Sequence, residues 1–336
     1  MSATGPEVLD PPVETPFRRI AVCLDGSELG ERIIPHALAV AQSLGTPVTF
    51  LRVLEGRPVG DAPPDPLDWE IRRKEARNYL EQCADECHDA GASIDVELIE
   101  GHAAEQICRW AEHHEADLTV LCSHGASGHT EWSLASTARK LVERAPGSLL
   151  LVPAAAAAVS GVARYRRILV PVDGSSRAES VIPLATRLAT GQGAEVILAH
   201  IVPIPELTEI GLLDAEDIEL RERLVKRNER VAHEYLDRLR ARVTTEGLSL
   251  RAMALRGGDV RSRLASLIGD EEVGLVVLSA HGHGGHCDIP CGSVTTHLLA
   301  HTATPLLIVR PRTTRATRRA HAAPGSTGRL PSQATP

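Results

Sequence analysis

The chain has 336 residues, 43% hydrophobic and 24% charged, with a formal net charge of -8. This length holds two domains of ordinary size, each with its own core, and the acidic balance argues against nucleic acid as a main partner. Aromatic residues make up only 2%, so the cores must be built from Val, Leu, Ile and Ala, which suits buried parallel strands covered by helices.

Residues 1–16, rich in proline and acidic side chains, are expected to be a disordered tail. They lack a basic region followed by an apolar core, so they do not read as a secretory signal. Residues 19–24 (RIAVCL) then read as a buried strand ending at Asp25-Gly26-Ser27. A helical pattern over 28–44, closed by Gly45, leads to a second strand at 47–53, and the proline-rich stretch 56–66 reads as an open loop. A charged amphipathic helix over 67–90 stops at Gly91. Strands at 94–99 and 117–122 (DLTVLC) flank a helix at 103–114, and a glycine loop at 125–133 feeds a helix up to 144. Residues 148–152 (SLLLV) close the unit as a fifth strand.

The pattern then restarts. Asp173-Gly174-Ser175 repeats Asp25-Gly26-Ser27 148 residues on, and Pro183 and Val196 repeat Pro35 and Val48 at the same offset. Later the offset becomes 157, pairing Gly125 with Gly282, Ser136 with Ser293, and 149–152 with 306–309. An ordered match over a whole half is a duplication. Residues 154–163 (AAAAAVSGVA) read as a linker, and 311–336 as a disordered basic tail. Each half alternates strand and helix through five strands, which predicts an α/β parallel sheet with helices on both faces. Ligands in such sheets lie beyond the carboxyl ends of the strands where the winding reverses, so the first and fourth strands of each half should flank that point.

The second half carries Ser279-x2-Gly282-x9-Gly292-Ser293 between its fourth strand and the next helix. Glycine lets backbone amides approach an anion, and a helix N-terminus favours its charge. Read singly, Asp173 is also a turn former and Ser293 a helix N-cap. The first half departs from the pattern: its counterpart is Cys122-x2-Gly125-x9-Ala135-Ser136, with Glu131 and Trp132 in the loop. It is expected to hold a phosphate-bearing ligand weakly or not at all and to serve as a structural partner.

Order, length and motifs together resemble a tandem universal stress protein over 17–153 and 164–310. Asp-Gly-Ser after the first strand, His-Gly after the fourth and Gly-Ser nine residues on carry the resemblance. The loop is similar to that family's Gly-x2-Gly-x9-Gly-Ser/Thr, with Ser279 in place of the first glycine. The resemblance implies two tandem doubly wound domains, each a five-stranded, mainly parallel sheet with helices on both faces (adenine-nucleotide alpha-hydrolase-like). They would pack as a pseudo-dimer through 149–152 and 306–309, with a further homodimer left open. It also implies ATP as ligand, with or without Mg2+, and a stress-response role as a nucleotide-responsive module acting through protein partners. By resemblance, Pro171 and Asp173 meet ribose and phosphate, Ile201 meets adenine, and Ser279, Gly282, Gly292, Ser293, Val294 and Thr295 form the phosphate loop.

His281, His283, His286, Cys287 and Cys291 crowd one loop and offer zinc or copper ligands, although no Cys-x2-Cys clamp is present. A mobile histidine-rich loop is the favoured reading, and the alternative for the whole chain is a nucleotide-free interaction scaffold whose His/Cys loop senses metal or redox state. Cys83 and Cys87 share a helix face and read as core. The seven cysteines, an odd number scattered through aliphatic segments, suit reduced thiols in the cytoplasm. No apolar run is long enough to span a bilayer, so no membrane contact is expected. No nucleophile–base constellation, Walker lysine loop or zinc-protease helix is present, so the reading is a binder and not an evolved enzyme, with slow ATP hydrolysis left open.

Overall fold

The computed structural model describes residues 17–56, 65–123, 136–205, 214–243, 247–282 and 291–310. The expected tails, most of the proline-rich loop, and His283, His286, Cys287, Gly125, Glu131, Trp132 and Ala135 lie outside the described residues.

The first half runs β1 (Ile20–Cys23), α1 (Glu28–Glu31), α2 (Ile34–Leu44), β2 (Val48–Leu54), α3 (Pro66–Glu86), β3 (Ile94–Glu100), α4 (Ala103–His113), β4 (Leu118–Cys122), α5 (Ser136–Arg144) and β5 (Ser148–Val152). The second repeats it as β6 (Arg167–Pro171), α6 (Ser176–Glu179), α7 (Ile182–Gln192), β7 (Glu195–Pro203), α8 (Ala215–Val243), β8 (Ser249–Gly257), α9 (Val260–Asp270), β9 (Leu275–Ser279), α10 (Ser293–His301) and β10 (Leu306–Val309).

Two expected helices are divided. The helical pattern over 28–44 is α1 and α2, broken around Arg32 and Ile33, and the break recurs between α6 and α7. Pro35 and Pro183 sit in the first turns of α2 and α7. A proline has no N–H for the carbonyl four residues back, and its ring crowds that carbonyl, so the helix restarts there. The helix expected over 67–90 ends at Glu86 and continues as a 3-10 turn, His88–Ala90, before left-handed Gly91.

The ten strands form one sheet in the order β3-β2-β1-β4-β5-β10-β9-β6-β7-β8. Neighbours within each half are parallel. At the seam β5 and β10 run antiparallel, with Leu306 opposite Leu151, Leu307 opposite Leu150 and Ile308 opposite Leu149. All six are fully buried. One core lies on each face of the sheet and both cores cross the seam: Leu150 and Leu307 belong to one, Leu149, Leu151, Leu306 and Ile308 to the other.

The helices reinforce the seam on one face. A Cβ on Gly191 of α7 would lie 2.9 Å from Cβ of Ser43 on α2, so the two helices touch backbone to backbone there. Gln192 Nε2 reaches the Ala39 carbonyl at 3.4 Å, and its Oε1 accepts from Tyr165 N at 2.8 Å. The 154–163 segment is packed rather than loose: Ala156 and Ala163 are buried, Arg32 donates to the carbonyls of Ala154 and Ala156, and Ala163 N–H donates to the Pro35 carbonyl.

His36 on α2 is buried between the halves, its Nδ1 2.9 Å from the Tyr165 hydroxyl. Burial lowers its pKa to about 4 from the usual 6.5. Between those values the unfolded chain binds a proton that the folded chain refuses, so stability is full above pH 6.5 and falls as the pH drops toward 4. Comparing denaturant unfolding of the natural chain and His36→Gln across this window should show about 3 kcal/mol more loss in the natural chain. Parallel curves would mean that His36 titrates normally.

Candidate functional site

The second half has a cleft of about 950 Å3 beyond the carboxyl ends of β6 and β9, which are neighbours in the sheet. Pro171, Asp173, Ile201, Ser279, Gly282, Gly292, Ser293, Val294 and Thr295 all line it. The structure thus brings together every residue that the sequence nominated, from β6, β7, β9 and α10.

Asp173 holds a tight turn. Its Oδ1 accepts from Ser175 N at 3.0 Å and Ser175 Oγ at 2.6 Å, while Gly174 takes a left-handed φ of +85°. Ser175 in turn caps α6 by accepting from Ala178 N. The first half builds the same turn with Asp25, Gly26 and Ser27, so the turn-forming role is independent of any ligand. Gly282 meets Asp173 from the other side: a Cβ there would lie 2.2 Å from Asp173 Oδ2. Only glycine lets the loop after β9 close onto that carboxylate.

Gly292 is the N-cap of α10, and no side chain among the described residues caps this helix. Ser293 is therefore the first helical residue and not the cap. Gly292 N–H donates to the Ala280 carbonyl at 2.7 Å, while the next amides of α10, in residues that line the cleft, have no intrahelical partners. By contrast, Asp259 caps α9 through the amides of Arg261 and Ser262. Thr295 is buried, and its hydroxyl donates to the Ser279 carbonyl at 3.5 Å, which braces α10 against β9 instead of presenting a donor to the cleft.

Sequence reading missed other lining residues: His200 on β7, Val260, Arg261 and Leu264 on α9, and His297, Ala300 and His301 on α10. His200 is held by the Val172 carbonyl at 2.9 Å and meets Tyr235 edge-on. His297 and His301 stack with ring centroids 4.0 Å apart, and His301 Nδ1 bonds the His297 carbonyl. Burial keeps the His297 pKa below the usual range, and His301 and Arg261 add to that. Their four-residue spacing in HLLAH was the one visible signal. Among the described lining residues Asp173 is the single carboxylate, set against Arg261 and four histidines. Ile201, Val260, Leu264 and Leu278 supply an apolar wall. No group of three or more metal-binding side chains forms among the described residues.

The first half differs where Gly26 and Gly174 correspond. No described residue comes within 4 Å of a Cβ on Gly174, whereas a Cβ on Gly26 would lie 2.6 Å from Nη2 of Arg52, which also lies over the Tyr79 ring at 4.9 Å. Arg52 occupies the position of His200 and covers the turn. No helix among the described residues is long and apolar enough to cross a membrane.

The family model described as the universal stress protein family matches twice, at residues 16–153 and 164–310. A universal stress protein of Mycolicibacterium smegmatis is 24% identical over 313 residues, covering 87% of this chain and 97% of that protein. One from Methanocaldococcus jannaschii is 26% identical over 142 residues, 41% of this chain and 84% of its own length. Among solved structures, a universal stress protein from Archaeoglobus fulgidus aligns over 88% of this chain and 99% of its own with a TM-score of 0.61 at 16% identity, which is a likeness of fold. Two family matches in one chain, laid over two copies of one strand order, make this protein a member of the universal stress protein family.

Proposed function

We propose that the chain is a nucleotide-responsive regulatory module that binds ATP in the cleft of its second half and works by binding rather than by turnover. The observation that carries this is the start of α10, capped by no described side chain, opening into a cleft with an arginine and four histidines, an apolar wall and one carboxylate. A polyphosphate would take the amides at Ser293–Thr295, where backbone dipoles favour negative charge. The flat base would lie against Ile201, Val260 and Leu264, and Asp173, which lines the cleft, would meet ribose hydroxyls or a water of a phosphate-borne Mg2+. The covered turn at Gly26 supports assigning the ligand to the second half alone. Occupancy would act on partners through differential affinity for the filled and empty states, consistent with a stress-response role in the cytoplasm.

Calorimetric titration of Mg-ATP into the purified chain, checked beforehand for carried-over nucleotide, tests this. The expected result is saturable binding at one site per chain. A flat titration of nucleotide-free protein would overturn the reading.

A further inference from the structure

Arg310, the residue after β10, joins the two halves in a way that the sequence repeat does not. Its backbone N–H donates to Ser148 Oγ at 3.2 Å, at the start of β5. Its guanidinium donates from Nη1 to the Ala145 carbonyl at 3.0 Å and from Nη2 to the Val142 carbonyl, both at the C-terminal end of α5. The same Nη2 lies 3.9 Å from Sγ of Cys291, the buried residue next to Gly292 in the cleft. The chemistry explains the choice of residue. The Val142 carbonyl would ordinarily take the N–H of residue 146, which is Pro146 and has none. A planar guanidinium satisfies that orphan and places a cation at the negative end of the helix dipole. At the matching position of the first half stands Pro153, which has no donor to offer.

We propose that Arg310 is a positioning strut through which nucleotide in the second half's cleft is felt by α5 of the first half. The proposal rests on the nucleotide reading above. Phosphate on the Ser293 amide, next to a Gly292 whose own N–H is tied to the Ala280 carbonyl, fixes the adjacent Cys291. Because the guanidinium is rigid, its hold on the thiol and on the α5 carbonyls tightens as one. The coupling is reciprocal, so whatever orders the end of α5 also favours nucleotide in the cleft.

Hydrogen–deuterium exchange at residues 137–145 of the full chain, with and without Mg-ATP, tests this in the natural protein, Arg310→Ala and Arg310→Lys. Calorimetry is run on the same samples. In the natural protein Mg-ATP should slow exchange in the last turn of α5 about tenfold. Both variants should still bind Mg-ATP but lose that slowing. Lysine keeps the cation and so guards against a folding failure in the alanine variant. Equal slowing in the variants, or none in a natural chain that binds Mg-ATP, would overturn the strut and leave the nucleotide site standing. A natural chain that binds no nucleotide would remove both, and calorimetry separates that case from the others.

Discussion

Gly292→Val will bind Mg-ATP at least about a hundredfold more weakly than the natural chain, because its methyl groups cover two or more charge-assisted amide contacts. The protein itself has room for the change. Gly292 has φ -69° and ψ 168°, a conformation open to valine. A Cβ there meets the Ala280 carbonyl oxygen at 3.5 Å and His281 Cα at 3.8 Å, both ordinary contacts. The stability cost is that of a poor N-cap, about 1 kcal/mol, or a few degrees of Tm. Calorimetry and thermal melting on one preparation separate ligand exclusion from misfolding. Undiminished affinity in a folded variant would place the phosphates away from α10.

Leu307→Asp should have the largest effect on stability. Leu307 is fully buried in β10, between β9 of its own half and β5 of the other. Removing the leucine costs about 2–5 kcal/mol, and an unpaired buried carboxylate adds several more. A typical domain has only about 5–15 kcal/mol in total. The melting curve should shift down as a single transition, because both cores cross the seam. Leu67→Asp on α3, where the side chain is 70% exposed, serves as the control and should change stability by less than about 0.5 kcal/mol. Two separate transitions, with the first half unaffected, would show that the halves fold independently.

Much of this was legible in the sequence because the signals were local and came twice. Aliphatic runs of four to six residues marked the strands, and the recurrence of Asp-Gly-Ser and Gly-Ser at fixed offsets ordered them. The loop residues of the cleft could be named because their spacing resembles the family's phosphate loop. What escaped depends on packing between distant segments. Arg261 reads as an exposed helix residue until α9 lies beside α10, and His200 reads as one more strand position. Arg52 looks unremarkable until it folds over Gly26. The grip of Arg310 on α5 joins residues more than 160 positions apart, and no periodicity reports such a contact. The division of the first helix was visible in Pro35, but the apolar pattern around it was the stronger signal.

Arg310 and Pro153 occupy matching places on the two sides of the seam and differ completely in chemistry. Were this sheet assembled from two identical chains, each substitution would enter twice, and a gain on one side would have to be tolerated on the other. Joining the copies through 154–163 removes that constraint, and it also keeps the seam formed at any dilution, since the partner is always attached. Each copy can then accumulate its own changes: one covers its turn with Arg52, while the other leaves its turn open. Covalent fusion thus lets the two halves diverge in sequence while the seam between them persists.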